Sequence, residues 1–484
     1  MVASELEHLD LLDAEAPLAQ ARDAFHAYWQ KLCKLRCAGL CLDTALNLQE
    51  VYVNGAITHH LRAKLVAQEW CEAWEKAALS FWEDEMQRSL APHQRWQFYL
   101  PRTLAGSGVQ SAKLRRAAAF LGSWELCLHD VASAVGLSSA EAVRARLPAL
   151  VADITAAETA LRAVDVTYSF DWESCHAQSY PKGKKRIMLS VHKAIHTWLA
   201  PLLPTDDGQG ATLQSCGGKG AGSFLLPPQA GEEATRLSDV NLRTVLRARF
   251  RCDHPGHELN SRPSPSTHCK HIYCAEHPLR AGQFCGEALD VRGNHSRGCD
   301  VGGAVLHGHN RCRDWLKELL ERWRPGVLIE TEQRVIAWDR VHPVPPDAPP
   351  GTRPTVEEAE LDIRFPQSTG RMLNVDIGFT DPYTRDVAEV RRAREPGRAA
   401  AAYVYHKHAR YRPEDNPTED LVPFILESFG RPSTRAVNFL RQFAPTEPGA
   451  RSRELRRAYR ELSCLTQLRL AELLRPAEDN SLPK

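Results

Sequence analysis

Three residues in the last third of the chain carry the strongest chemical signal: Asp362 in AELDIRF, Asp376 in MLNVDIGFTDPY and Lys407 in YVYHKHARY. Each aspartate sits inside a short apolar run, LDI or VDI, where an unpaired carboxylate is costly to bury. Two such acids on neighbouring strands call for a cation. Mg²⁺, or Mn²⁺ in its place, is the hard, oxygen-preferring choice that keeps several waters and bridges to a phosphate. A lysine on the following helix then stabilises charge on that phosphate or orients the attacking water. Either acid alone reads as a surface salt bridge; the order strand Asp, strand Asp, helical Lys is what a metal-dependent phosphodiesterase requires. A further acid is expected to complete the site. Glu330 and Glu332 alternate to one face of LIETEQ, Glu318 and Glu321 lie on the helix before it, and Glu332 is our assignment. Tyr411, four residues beyond Lys407, shares its helix face and either packs beside it or touches nucleic acid.

A second constellation lies upstream. Cys285, His295 and Cys299 form C-x9-H-x3-C on a segment with Gly286, Gly293 and Gly298, which places three good zinc ligands on one turn-rich stretch. Zinc needs a fourth. Cys269, His271, Cys274 and His277 qualify and Cys274 is favoured, while Cys252, His254 and His257 are available to a second site. Free thiols or a disulfide are the alternative reading. Residues 252–312 are rich in Cys, His, Gly and Pro and poor in apolar side chains, so a bound metal is the natural source of their stability. Just after this stretch, His309, Arg311 and Arg313 are expected to contact nucleic acid, as are Arg410 and Tyr411.

These groups need elements to hold them. The expected fold class is α + α/β: a helical N-terminal half, a small zinc-binding module, then an α/β domain with a mixed sheet. The corresponding boundaries are 1–165 helical, 166–250 connector and helix, 251–304 Cys/His module, 305–445 α/β domain and 446–484 a charged helical tail. AAAFLGSWELCLHDVASAV and AEAVRARLPALVADITAAETALRAV carry apolar residues at helical spacing, and Ser138 or Ser139 followed by Glu141 marks a helix start. Residues 204–235, rich in Gly, Pro, Gln and Ser, read as a flexible connection. PKGKKR at 181–186 reads as a solvated basic run. From 305 the pattern runs helix, strand, two Asp-bearing strands, helix, apolar strand LVPFILESF and helix TRAVNFLRQFA.

Composition narrows the partners. The 484 residues carry 61 Lys plus Arg against 60 Asp plus Glu, so no global basic field coats nucleic acid and any polyanion contact is a local patch. Fourteen cysteines behind the acidic start MVASELEHLDLLDAEA, without a signal sequence, indicate reduced, intracellular thiols. No run approaches the length of a membrane span, so no membrane partner is expected.

The block CGEALDVRGNHSRGC…HGHNRCRD, followed by ELDI, NVDIGFTDP, KHARY and LVPFILESFGRPSTRAV, resembles the C-terminal region of non-LTR retrotransposon polyproteins. There a zinc knuckle precedes a restriction-like endonuclease of the PD-(D/E)XK superfamily, whose lysine has moved from the strand to the next helix. The resemblance covers about residues 101–445 and is strongest from 285 onward. It implies Asp362 and Asp376 as metal ligands, Lys407 as the catalytic lysine, Glu427 at a place where relatives carry an acid, DNA as substrate and a nuclear location. Element RNA is a further candidate partner. Three departures stand out: Gly282 replaces a knuckle cysteine, Leu361 replaces the proline of the PD motif, and Gly378 holds the strand-lysine position. No Tyr/Phe-x-Asp-Asp polymerase motif occurs, so the chain reads as a fragment whose reverse transcriptase would be a separate chain, or as a catalytically inactive, zinc-containing nucleic-acid-binding remnant of such an element.

Overall fold

A computed structural model describes residues 16–49, 52, 54–164, 166–177, 187–202, 209–226, 236–253, 269, 283, 285–287, 293–299, 303–344, 353–383 and 395–474. The chain divides into two compact units, Met1–Leu203 and Pro204–Lys484. PKGKKR, His254, His257, His271, Cys274 and His277 lie outside the described residues.

The first unit is helical throughout its described residues: α1 (Ala16–Cys37), α2 (Leu42–Leu48), α3 (Asn54–Ala63), α4 (Gln68–Met86), α5 (Pro92–Phe98), α6 (Ala112–Ala134), α7 (Ala140–Arg146), α8 (Pro148–Arg162), α9 (Trp172–His176) and α10 (Ile187–Leu202). α6 is its hub, touching α3, α4, α8, α9 and α10. Ser111 starts it by accepting from the Leu114 N–H, and Ser139 starts α7 in the same way through Ala142, as expected for that Ser/Glu signature. The helical stretch AEAVRARLPALVADITAAETALRAV is two helices: Pro148 has no N–H to give the preceding turn, so α7 ends and α8 begins with that proline in its first turn. Trp29, Trp74, Trp82, Phe98 and Phe120 are fully buried in this unit.

The second unit contains α11 (Gln209–Cys216), α12 (Asp239–Arg249), α13 (Asn294–Gly298), α14 (Gly303–Trp323), β1 (Glu330–Arg334), β2 (Arg340–His342), β3 (Thr355–Glu357), β4 (Glu360–Pro366), β5 (Met372–Thr380), α15 (Arg398–Arg410), β6 (Glu419–Glu427), α16 (Thr434–Phe443) and α17 (Pro448–Leu474). Four strands form a mixed sheet in the order β1-β4-β5-β6, antiparallel except for the parallel β5–β6 pair, with β2–β3 as a separate ribbon. Alternation along β5 sorts its side chains. Leu373, Val375 and Ile377 join Leu316 and Leu320 of α14, Phe439 of α16 and Leu462 of α17 in the main core. Asn374, Asp376 and Gly378 take the opposite face, where Tyr403 of α15 lies against Gly378.

Two expectations are corrected here. Residues 209–226, inside the stretch read as flexible, form α11, with every residue buried, and a 3₁₀ turn at Ser223–Leu225. Arg431 anchors this segment by donating to the carbonyls of Gln214 and Gly217, and Ser463 accepts from the Phe224 N–H. The C-terminal helix is likewise no tail. α17 packs along α12, α13 and α14, and buries Tyr459, Leu462, Leu470 and Leu474. Among the described residues, no helix is long and apolar enough to cross a membrane.

Candidate active site and metal centre

The sheet register builds the acidic site. Thr331 and Gln333 pair with Ile363 and Leu361, which sets Glu332 opposite Asp362. The β4–β5 ladder runs from Pro366–Met372 to Ile363–Val375 and stops there, one step short of Asp362 facing Asp376, which itself lies beside Pro423 of β6. Three acids thus occupy one row across three adjacent strands at the point where β4 and β5 part. The parting leaves the Ile377 N–H without a strand partner, and Asp362 Oδ2 accepts it at 2.6 Å.

Each aspartate also has a cation. Lys407, on the last turn of α15, donates to Asp376 Oδ1 at 3.1 Å and lies 2.8 Å from Oδ2. His309 Nε2 lies 3.2 Å from Asp362 Oδ1. Burial disfavours the charged forms of both Asp376 and Lys407. For Lys407 the attraction of Asp376 outweighs it and the ammonium pKa is raised; for Asp376, only 5% exposed, burial wins and the carboxyl pKa is raised as well. The hydrogen bond to Asp362 raises the His309 pKa against the pull of burial. The Lys407 ammonium also lies 5.5 Å from the Tyr403 ring centroid and 5.9 Å from that of Tyr411, so it is bracketed by two aromatic rings.

Gly378 explains why the ammonium comes from the helix. A Cβ at 378 would lie 2.5 Å from Tyr403 Cε1 and 2.8 Å from Ile425 Cδ1, so no side chain fits on the strand there. Lys407, one turn beyond Tyr403, reaches Asp376 instead. Leu361, at the place of the PD proline, is fully buried with Val335, Trp338, Ala359 and Tyr411.

The other residues singled out above divide. Glu332 stands in the row, but its backbone adopts φ +53°, strained for a side-chain-bearing residue, and its half-exposed carboxylate pairs with Arg313. Glu318 and Glu321 are exposed on α14. Arg311 is held by Glu472 of α17, one of its two contacts at 2.9 Å. Arg410 donates to the Trp338 carbonyl at 2.7 Å and pairs with Glu357. Tyr411 is buried against Trp338, beside the lysine. Glu427 is not in the row: it is 1% exposed at the end of β6 and accepts from the Ala400 N–H, which caps the start of α15. His309 belongs to the acidic site itself. The sequence carries that signal, since His309, Cys312, Leu316, Leu319, Leu320 and Trp323 make one helical stripe, and a polar residue in a core stripe needs a partner.

The Cys/His cluster closes on Cys269, Cys285, His295 and Cys299, whose ligand atoms all lie within 4.8 Å of one another. Among the described residues Cys269 takes the fourth place, whereas Cys274, favoured from the sequence, lies outside them. Cys269 exchanges backbone hydrogen bonds with the turn after Cys285, accepting from Gly286 N–H and donating to the Glu287 carbonyl, and that pairing carries its thiol into the cluster. Cys269 Sγ lies 3.7 Å from Cys299 Sγ, and Cys285 Sγ lies 3.5 Å from His295 Nε2. A tetrahedral zinc with bonds of about 2.3 Å to sulfur and about 2.0 Å to nitrogen separates its ligands by about 3.8 and 3.5 Å. The four residues can therefore hold a metal such as zinc. A buried ion pair, Arg297 Nε to Asp381 at 2.9 Å, ties this module to the end of β5. No protein-family model matches the chain, and no curated protein matches it.

Proposed function

We propose that the second unit is a Mg²⁺- or Mn²⁺-dependent endodeoxyribonuclease that nicks a DNA strand, of the restriction-like kind found at the C-terminal end of non-LTR retrotransposon polyproteins. The observation that carries this reading is the row of acids where β4 and β5 part, with Lys407 against Asp376. The donor set fits a hard divalent ion, since Asp362 and Asp376 offer carboxylate oxygens. Such an ion, when bound, activates water and neutralises charge on a phosphodiester.

The chain's own residues do the rest. Asp362 is fixed by the Ile377 N–H and His309, so its carboxylate is oriented before substrate arrives. Lys407 stays protonated through the neutral range and offers its charge to the non-bridging phosphate oxygens. Arg313, bound to Glu332, sits at the rim where a strand would enter. The Cys/His module, bolted to β5 by Arg297–Asp381, is the second nucleic-acid contact in this reading. The substrate is chromosomal DNA, with a nuclear place of action; element RNA and a separately encoded reverse transcriptase are the further partners proposed.

A binding protein without cleavage is the second reading, favoured by one observation: each aspartate already has a partner in the protein, Lys407 for Asp376 and His309, cationic when protonated, for Asp362. Nicking of supercoiled plasmid by the full chain in Mg²⁺ or Mn²⁺ separates the two. Parent activity with a loss of at least about a hundredfold in Asp376→Ala supports the nuclease. Salt-sensitive DNA binding with no nicking by the parent supports the second reading.

A further inference from the structure

Away from the carboxylate row, the second unit holds a cleft of about 470 Å³ between α15, α16 and the turn that follows α11. Lys219, Arg398, Arg431, Arg435 and Arg441 line it, against one carboxylate, Glu395. That acid is 3.7 Å from Arg398. Among the described residues, Lys219, Arg435 and Arg441 have no carboxylate within ion-pair distance.

Arg431 forms the floor. Its guanidinium donates to the Gln214 and Gly217 carbonyls and is packed between two left-handed glycines: a Cβ on Gly218 would lie 3.0 Å from Cζ, and one on Gly397 3.2 Å from Nε. Lys219 is laid over the Tyr459 ring, 4.8 Å from its centroid. Burial, and to a lesser degree the neighbouring Arg441, lowers its pKa. Helices α15 and α16 both begin at this cleft, which adds their positive N-terminal ends to the same field. Arg431 feels the buried Glu427 and Arg398 pairs with Glu395, so Lys219, Arg435 and Arg441 are the cations gathered there without a carboxylate among the described residues, at a cost in free energy that an anion would recover.

We propose that this cleft binds the sugar-phosphate backbone of a nucleic-acid strand, as a contact separate from the carboxylate row. The choice of nucleic acid rests on the nuclease reading; the anionic character of the ligand does not. The cations come from several elements and spread along an open cleft, which suits successive phosphates better than a single one. No aromatic ring lines it for base stacking, so the contact is sequence-independent. Arg398 and Lys407 are nine residues apart on α15, about 14 Å by helical rise, so the first-turn cations of the cleft are separated along the helix from the acids.

The test is fluorescence anisotropy of the full chain with a labelled duplex of about 20 base pairs, titrated across KCl concentrations without Mg²⁺ or Mn²⁺. Arg435→Glu/Arg441→Glu should bind about tenfold or more weakly, with a salt slope smaller by about 2. Arg435→Lys/Arg441→Lys should bind within about threefold of the parent. Zinc content and thermal melts of both variants verify folding. Inorganic phosphate at millimolar concentration should compete poorly. Parent-like affinity and slope in the charge-reversed protein would overturn the inference, as would an acidic phosphopeptide binding as tightly as the duplex. A parent that binds through the cleft and does not nick plasmid keeps the cleft and sinks the nuclease.

Discussion

At the scale of single residues, two backbone positions govern the acidic site. Gly378 leaves room for Tyr403, and Tyr403 in turn brackets Lys407. Gly378→Ala puts a methyl 2.5 Å from that ring, so it should cost about 1–3 kcal/mol in urea denaturation and weaken nicking as the lysine shifts. An alanine variant as stable as the parent would show that the ring yields freely. Glu332 is the opposite case, a side chain held where glycine is preferred. Glu332→Gly should be more stable than Glu332→Ala by about 1 kcal/mol, because the two share the loss of the Arg313 pair and differ in the cost of φ +53°. Equal midpoints would mean the strand relaxes once Arg313 is released. Asp362, Asp376 and Lys407 were legible as a set because acids inside LDI and VDI demand partners. Lying just past the Cys/His stretch, His309 reads as a nucleic-acid contact; only the meeting of α14 with β4 shows it bound to Asp362.

At the scale of elements, the Cys/His module and the terminal helix behave as parts of the α/β unit. Cys269→Ser should remove bound zinc from the purified chain, while Cys274→Ser should retain it, as read by metal analysis. Zinc retained by the first and lost by the second would return the fourth ligand to Cys274. The spacing C-x9-H-x3-C marked three members of the cluster. The fourth depends on a backbone pairing between Cys269 and the turn at Gly286, a contact across sixteen residues that no local pattern encodes. The same limit applies to α17: its charged surface reads as a solvated tail, yet Trp315 and Trp323 donate to Glu461 and Glu454 at 2.9 Å, so part of its charge is inward and paired. Truncation before Pro448 should therefore unfold the second unit rather than trim it, visible as loss of its cooperative melt.

At the scale of the whole molecule, stability falls to the core of each unit. In the first, burial and Arg115 push the His192 imidazole down to about 4 from its usual 6.5. A base whose pKa is lowered on folding stabilises the native state above its unfolded pKa. That stability is lost as pH falls, because the unfolded chain takes up a proton the folded chain refuses. The loss should span pH 6.5 to 4 and amount to about 3 kcal/mol, from about 2.5 pH units at about 1.4 kcal/mol each. Urea midpoints followed by tryptophan fluorescence between pH 7 and 4.5 should fall for the parent and fall less for His192→Gln. Parallel pH profiles would place the acid sensitivity elsewhere.

By itself the sequence determined the strands and helices of the α/β unit, the helical character of the first unit, two aspartates and a lysine that need one another as partners, and three members of the thiol and imidazole cluster. These are local properties: alternation, helical period, and the cost of a charge among apolar neighbours. Tertiary structure alone decided which residues meet. The row Glu332–Asp362–Asp376 follows from strand register, the pairing of His309 with Asp362 from helix docking, the place of Cys269 in the thiol cluster from its backbone pairing with Gly286 and Glu287, and the basic cleft from three elements converging on Arg431. Each joins residues distant in the chain, and such contacts are selected by the packing of whole elements, which no short window of sequence contains.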